Sequence, residues 1–322
     1  MSDLTFLSRP RQLEQKLASW REQAGDRLKV DYELSYTGHK VYGITLSDWS
    51  VPQSDKTAVY IAQPHAHEPA TTAGMIDVIE QLVTGSHMSG LATSLDVEKL
   101  LAKTIITFNP IGNPYGSERA EHDVYDGSRI TNDRFWCIMF GDDPNNPGKQ
   151  WNRLDVFDTR EVQAPDPIGI VYEPVDAFRH VEPNRSQLSS YSRLFRRMDE
   201  QYGYRYWLDL HQTEFVRSAT QCCILLPLQD AAPPPIHEEN VAWADAITQA
   251  WQDAGFTAVP PRHTGYTGIQ AEYFRQNWGR IHQRMNRITV EVKNNGADVP
   301  AERQMTAEAL SIETTLNRLL SK

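Results

Sequence analysis

The chain has 322 residues, 40% of them hydrophobic and 23% charged, with ordinary glycine and proline content and a net charge of −10. A chain this long buries roughly three-quarters of the surface its unfolded form exposes, so a sizeable core is expected. The acidic balance excludes nucleic acid as a main partner, because phosphate neutralisation needs a basic face.

The elements read as follows in chain order. Residues 9–24 (RPRQLEQKLASWREQA) space Leu13, Leu17 and Trp20 at helical intervals. RLKVDYELSYTGHKVYGITLSD is two strand-like runs around Tyr36-Thr37-Gly38, a hairpin. TAVYIAQ (57–63) is a strand, followed by the helix TTAGMIDVIEQLVTG, which Gly85 ends. TIITFNP (104–110) is a strand cut off by Pro110. Residues 111–175 are rich in turn formers and read as long loops, which in an ordered domain tend to be functional. A helix is expected over 184–202, then the strands YRYWLDLH and QCCILLPL, the loop AAPPPI and the helix HEENVAWADAITQAWQDAGF. RITVEVKN is a late strand, and TAEALSIETTLNRLLS a closing amphipathic helix.

Strands alternating with helices throughout predict one α/β domain over 1–322. The expected architecture is a three-layer α/β/α arrangement around a central mixed, largely parallel sheet. The N-terminus has no apolar signal-like stretch, and no window approaches ~20 uninterrupted apolar residues, so no membrane partner is expected. Three cysteines, Cys137 and the adjacent Cys222-Cys223, form no disulfide framework and point to a cytoplasmic protein.

In α/β sheets, ligands collect beyond the carboxyl ends of the strands. His65 and Glu68 follow the strand 57–63 directly, His211 ends RYWLDLH, and Glu291 lies between Val290 and Val292 on RITVEVKN. Two histidines and a carboxylate make an open catalytic zinc site, with one position left for water. Such chemistry needs a further carboxylate to carry protons, and Glu291 is the candidate, since a buried acid in an apolar strand needs a polar site to face.

The order H-x-x-E, a strand ending D-L-H and a late T-V-E-V-K-N-N-G resembles the zinc metallocarboxypeptidases of the carboxypeptidase A type. The resemblance spans nearly the whole chain. It includes SYTGHKVYGITLS, similar to an early S-x-x-G-[KR] hairpin, and FNPIGNPYG, similar to an N-P-x-G turn. It implies one Zn2+ per chain on His65, Glu68 and His211, with Glu291 as general base. His67 then falls outside the ligand set, as an outer or surface residue. Asp209, two residues before His211, is either an orienting partner for a ligand histidine or a core acid paired with an arginine.

The resemblance also calls for an Asn-Arg pair to hold the substrate's terminal carboxylate and another arginine to polarise the scissile carbonyl. No clean D-x-N-R-N-F match occurs. Asn132 with Arg134, and Asn152 with Arg153, are the candidates, Arg134 being preferred for the polarising role; Arg129 and Arg119 are alternatives. Tyr266, between Gly265 and Thr267-Gly268, matches the family's mobile substrate-capping tyrosine, with His263 as the choice under a shifted alignment. Glu272 either selects basic residues or lies in solvent. The expected activity is hydrolysis of amide bonds, as a carboxypeptidase-like peptidase acting on peptides. The alternatives are an N-acyl amino acid deacylase resembling the succinylglutamate desuccinylase and aspartoacylase group, and a non-catalytic metal- or peptide-binding module on the same fold. The oligomeric state is left open.

Overall fold

A computed structural model describes residues 6–153, 155–214 and 216–321. Helix α1 (Pro10–Ala24) is followed by β1 (Leu28–Leu34), β2 (Lys40–Leu46), β3 (Thr57–Ala62), α2 (Pro69–Thr84), α3 (Val97–Lys103) and β4 (Thr104–Asn109). Next come α4 (Pro114–Arg119), α5 (Asn132–Phe140) and the short strands β5 (Phe157–Asp158), β6 (Glu173–Pro174) and β7 (Arg179–Val181). The chain continues through α6 (Ser190–Tyr202), β8 (Tyr206–Thr213), β9 (Cys222–Leu226), α7 (Pro234–Asp253) and β10 (Arg262–His263). It closes with α8 (Gly268–His282), β11 (Asn286–Lys293) and α9 (Ala301–Leu320).

The main sheet has eight strands in the order β1-β2-β4-β3-β8-β11-β9-β10. Its middle block β4-β3-β8-β11 is parallel, and antiparallel neighbours flank it. Strands buried on both faces are apolar throughout, as TAVYIA is. Val59 and Ile61 pack on the face covered by α1, α2, α3, α7 and α9, whereas Ala58, Tyr60 and Ala62 pack towards α6 and α8. The three-layer expectation is therefore the observed architecture. Cys137, Cys222 and Cys223 are buried and free. None of the helices among the described residues is long and apolar enough to cross a membrane.

Two segments depart from expectation. Residues 111–175 contain α4 and α5, not loop alone. The Thr131 hydroxyl caps α5 by accepting from the Arg134 N–H, and Phe135, Ile138 and Met139 are buried. The surrounding turn formers mask this short amphipathic stretch in the sequence. Secondly, the helix expected over 184–202 starts only at Ser190. Pro183–Arg185 forms a separate 3-10 turn, and Ser189 caps α6 by accepting from the Ser192 N–H.

The feature that positions the site is the pleat of β8 and β11. Successive side chains point to opposite faces, so residues two apart share one. Leu208 and Leu210, with Ile288, Val290 and Val292, fill the core on one side. On the other, the register sets Trp207 beside Arg287, Asp209 beside Thr289 and His211 beside Glu291. Polarity thus rises towards the carboxyl edge of the sheet.

Helix α2 lies so close to α9 that a Cβ at Gly74 would stand 2.8 Å from the Glu308 Cβ and 3.0 Å from the Ala309 nitrogen. Gly74→Ala is therefore expected to destabilise the protein by about 1–2 kcal/mol, overpacking outweighing a helix-propensity gain of about 1 kcal/mol. A shift of the denaturant midpoint at constant m would register it; an unchanged or higher midpoint would contradict it.

Candidate metal centre and cleft

His65 and Glu68 sit in the short connection between β3 and α2. Gln63 fixes this connection by accepting from the His65 N–H (2.8 Å) and donating to the Pro110 carbonyl (2.9 Å). Gly112 packs against the same connection, where a Cβ would lie 2.4 Å from the Gln63 carbonyl oxygen, so only glycine fits. On the other side, Gln212 of β8 accepts from the Ala70 N–H (2.9 Å), and Asn294 donates to the His67 carbonyl (2.8 Å). The connection is thereby tied to β4, β8 and the end of β11.

Held in this way, three donor groups converge. The two Nδ1 atoms of His65 and His211 are 3.2 Å apart; the first lies 2.9 Å and the second 3.4 Å from Glu68 Oε1. Ligand atoms of the three residues all lie within 4.8 Å of one another. The far ring nitrogens are also engaged. His65 Nε2 meets the Glu182 carboxylate and His211 Nε2 lies 3.2 Å from Asp209. With those nitrogens donating to carboxylates, both Nδ1 lone pairs face each other and Glu68 at short range. That arrangement is repulsive unless a proton or a cation sits between them. Glu68 Oε2, buried and 3.3 Å from His211 Nδ1 without a hydrogen bond, adds a further acceptor. The residues present fit a divalent metal with nitrogen and oxygen ligands, the set that carboxypeptidase A itself uses for zinc.

The electrostatics agree. Burial alone lowers the His65 pKa, but Glu68 and Glu182 override it and push it up to about 9. Burial opposes the ionisation of Glu68, yet His65 and His211 draw it down to about 2. Metal-free, the centre holds protons where a cation would displace them. Glu291 is raised to about 7, by burial first and then by the charges of Glu68 and Asp209, against the pull of His211 and His65. His67 is lowered to about 3 by burial; it stacks on His65 with ring centres 5.1 Å apart.

Beneath the centre, Asp209 accepts from Arg287 (2.6 Å) and Tyr191 (3.3 Å) while also facing His211. Arg287 and Asp209 are each only 1% exposed. The guanidinium lies 4.0 Å from the Trp207 ring centre and 5.0 Å from that of Trp278. Both readings offered for Asp209 thus hold at once, since it pairs with an arginine and contacts the candidate ligand.

His65, Glu68, Asp209, His211 and Glu291 line a cleft of about 260 Å³, together with Trp136, Met139 and Phe140 from α5 and with Asn184, Arg185 and Tyr266. Tyr266 is half-buried, with the Arg185 guanidinium 5.4 Å from its ring centre. Arg185 is the one arginine in the lining among the described residues.

The arginines proposed from sequence lie outside this lining, a correction to that part of the reading. Arg134 is exposed and paired with Glu121 and Asp142, both at 3.2 Å, on the solvent side of α5, while the opposite side supplies Trp136, Met139 and Phe140. Asn132 shares the first turn of α5 and is absent from the lining. Arg153 binds Asp155 at 2.8 Å and, with the exposed Asn152, borders a separate surface depression beside Tyr273. Arg119 binds the Ile168 carbonyl, and Arg129 is exposed. His263 bonds to the Pro227 carbonyl (2.6 Å), away from the cleft, and Glu272 is exposed on α8. Sequence reasoning missed Glu182, Asn184, Arg185 and Arg287. The literal Asn184-Arg185 dipeptide after Pro183 was a usable signal, as was Arg287, four residues before Glu291 and so on the same strand face.

The zinc carboxypeptidase family model matches residues 13–306. Carboxypeptidase A from Helicoverpa armigera is 13% identical and superposes with a TM-score of 0.60, covering 97% of this chain and 73% of its own. A metallo-carboxypeptidase from Burkholderia cenocepacia is 15% identical with a TM-score of 0.56, the shares being 95% and 68%. Bovine thrombin-activatable fibrinolysis inhibitor, solved with tick carboxypeptidase inhibitor, is 11% identical with a TM-score of 0.56 and 97% of each chain covered. At such identities the structural likeness speaks for the fold. No curated protein matches the sequence.

The buried ion pair generates a stability prediction. Arg287→Met should cost about 3–5 kcal/mol, because it strands the Asp209 charge, and adding Asp209→Asn should restore part of that loss. Chemical denaturation of the single and double variants measures both. A loss below about 1 kcal/mol in the single variant would rule out the pairing as a structural requirement.

Proposed function

The chain belongs to the zinc carboxypeptidase family, and from that premise we propose that it removes C-terminal residues from peptides in the cleft of His65, Glu68, His211 and Glu291. The observation that carries this reading is the convergence of two Nδ1 atoms and a carboxylate, next to Glu291 on the adjoining strand. One zinc ion per chain would be held by His65, Glu68 and His211. When bound, it supplies Lewis-acid polarisation of the scissile carbonyl and acidifies water towards neutral pH.

The chain's own residues do the rest. Glu182 and Asp209 keep the Nε2 protons of the two histidines, so that both Nδ1 lone pairs stay turned to one point. Glu291 receives a proton from the attacking water and returns it to the leaving nitrogen. Burial on the adjoining strand disfavours its charged form, which makes it a better proton acceptor than a solvated carboxylate. Arg185, with Asn184 beside it, receives the terminal carboxylate through a planar guanidinium fork, the task for which the family uses an Asn-Arg pair. Tyr266 packs over that group, and Trp136, Met139 and Phe140 give the cleft an apolar wall that keeps water out. Three buried free thiols suit a reducing compartment such as the cytoplasm.

Kinetics on peptides with free C-termini test this assignment. Glu291→Gln should abolish turnover while bound zinc is retained. Arg185→Ala should lower kcat/KM by roughly a hundredfold, the worth of a lost charge-assisted pair, whereas Arg134→Ala should leave it within about threefold. Substantial turnover by Glu291→Gln, or equal effects of the two arginine variants, would contradict it.

A further inference from the structure

The carboxyls of the cleft do not balance its cations. Glu68 faces His65 and His211, Glu182 faces His65 and Arg185, and Asp209 faces Arg287 and His211. Glu291 is reserved for proton transfer. Glu214 remains. It lies three residues after His211, just past the end of β8, and it lines the cleft.

Its Oε1 is buried and has no hydrogen-bond partner among the described residues. Burial first, and then the negative charges of Glu68 and Glu291, push its carboxyl well above the ordinary range, while its own backbone N–H and His65 pull the other way. A desolvated carboxylate oxygen without a partner costs free energy, and a charge-assisted hydrogen bond from a ligand N–H offsets that cost. The residue is half-buried and forms part of the cleft wall, so a ligand in the cleft meets it.

We propose that Glu214 is the cleft's receptor for a cationic nitrogen of the peptide, an ammonium or a guanidinium. The substrate is then held at two oppositely charged points, its carboxylate at Arg185 and its cation at Glu214. This rests on the carboxypeptidase reading above and adds the charge of the substrate to it. A peptide can present such a cation from its α-amino group, if it is very short, or from a lysine or arginine side chain. A cleft of about 260 Å³ is below the usual range of ligand pockets, which favours the short peptide.

The test is calorimetric binding to the zinc-loaded Glu291→Gln protein, with and without the further change Glu214→Gln. One peptide pair is alanyl-alanine, free and N-acetylated; the other is N-acetyl-alanyl-lysine against its norleucine counterpart. With Glu214 present, the cationic member of one pair should bind at least about tenfold tighter, and Glu214→Gln should reduce that gap to under about threefold. Glu214→Asp, which keeps the carboxyl, should retain most of it. A gap in the first pair assigns the α-amino group, and a gap in the second assigns the side chain. No gap in either pair, or a gap that survives Glu214→Gln in protein with an unchanged unfolding midpoint, overturns the proposal. Hydrolysis of the acetylated neutral peptides by the unaltered chain tests the carboxypeptidase reading separately, since the binding gap needs no turnover.

Discussion

Two imidazole lone pairs and a carboxylate directed at one spot repel one another, and much of the chain around the cleft serves to keep them there. His65 and His211 approach to 3.2 Å between Nδ1 atoms because Glu182 and Asp209 hold their far nitrogens. Asp209 bears that load only because Arg287 neutralises it from below, and Arg287 is itself packed among Trp207, Trp278 and Phe274. The sequence of constraints runs from an aromatic cluster, through a buried ion pair, to the ring orientation of a candidate ligand. A metal bound at the top would relieve the repulsion that this framework stores.

The parallel block of the sheet makes the arrangement possible. β3 ends at Ala62 opposite Asp209, so the connection carrying His65 and Glu68 begins where β8 presents its last polar side chains. β11 runs beside β8 in a register that sets Glu291 next to His211. A one-residue slip in either strand would turn His211 or Glu291 into the apolar layer with Leu210 and Val290. Those apolar neighbours therefore fix the geometry of the site as firmly as the polar residues do.

The same logic explains which parts of the molecule are legible in its sequence. His65, Glu68, His211 and Glu291 stand on or just after runs that read as strands, and the resemblance to the zinc metallocarboxypeptidases assigns their roles. The hairpin 28–47, the strands at 57 and 104 and the helix ending at Gly85 all carry local signals. The cleft walls do not. Arg134 attracts attention as part of an Asn-x-Arg triplet, but α5 turns its guanidinium to Glu121 and Asp142 and gives the cleft Trp136, Met139 and Phe140 instead. Reading 184–202 as one helix hides Asn184 and Arg185 in its first turn, although Pro183 marks a separate 3-10 turn there. Glu214 has no local signal, since its isolation depends on charges supplied by distant segments.

The central claim is that one metal ion sits where His65, Glu68 and His211 converge. Anomalous diffraction at the zinc edge, from crystals of the zinc-loaded protein, addresses it most directly. The account predicts a peak between the Nδ1 atoms of both histidines and the Glu68 carboxylate, with Glu182 and Asp209 still on the Nε2 atoms. A cleft without zinc, with the signal confined to another convergent group such as Asp77, His87 and Glu313, would contradict it.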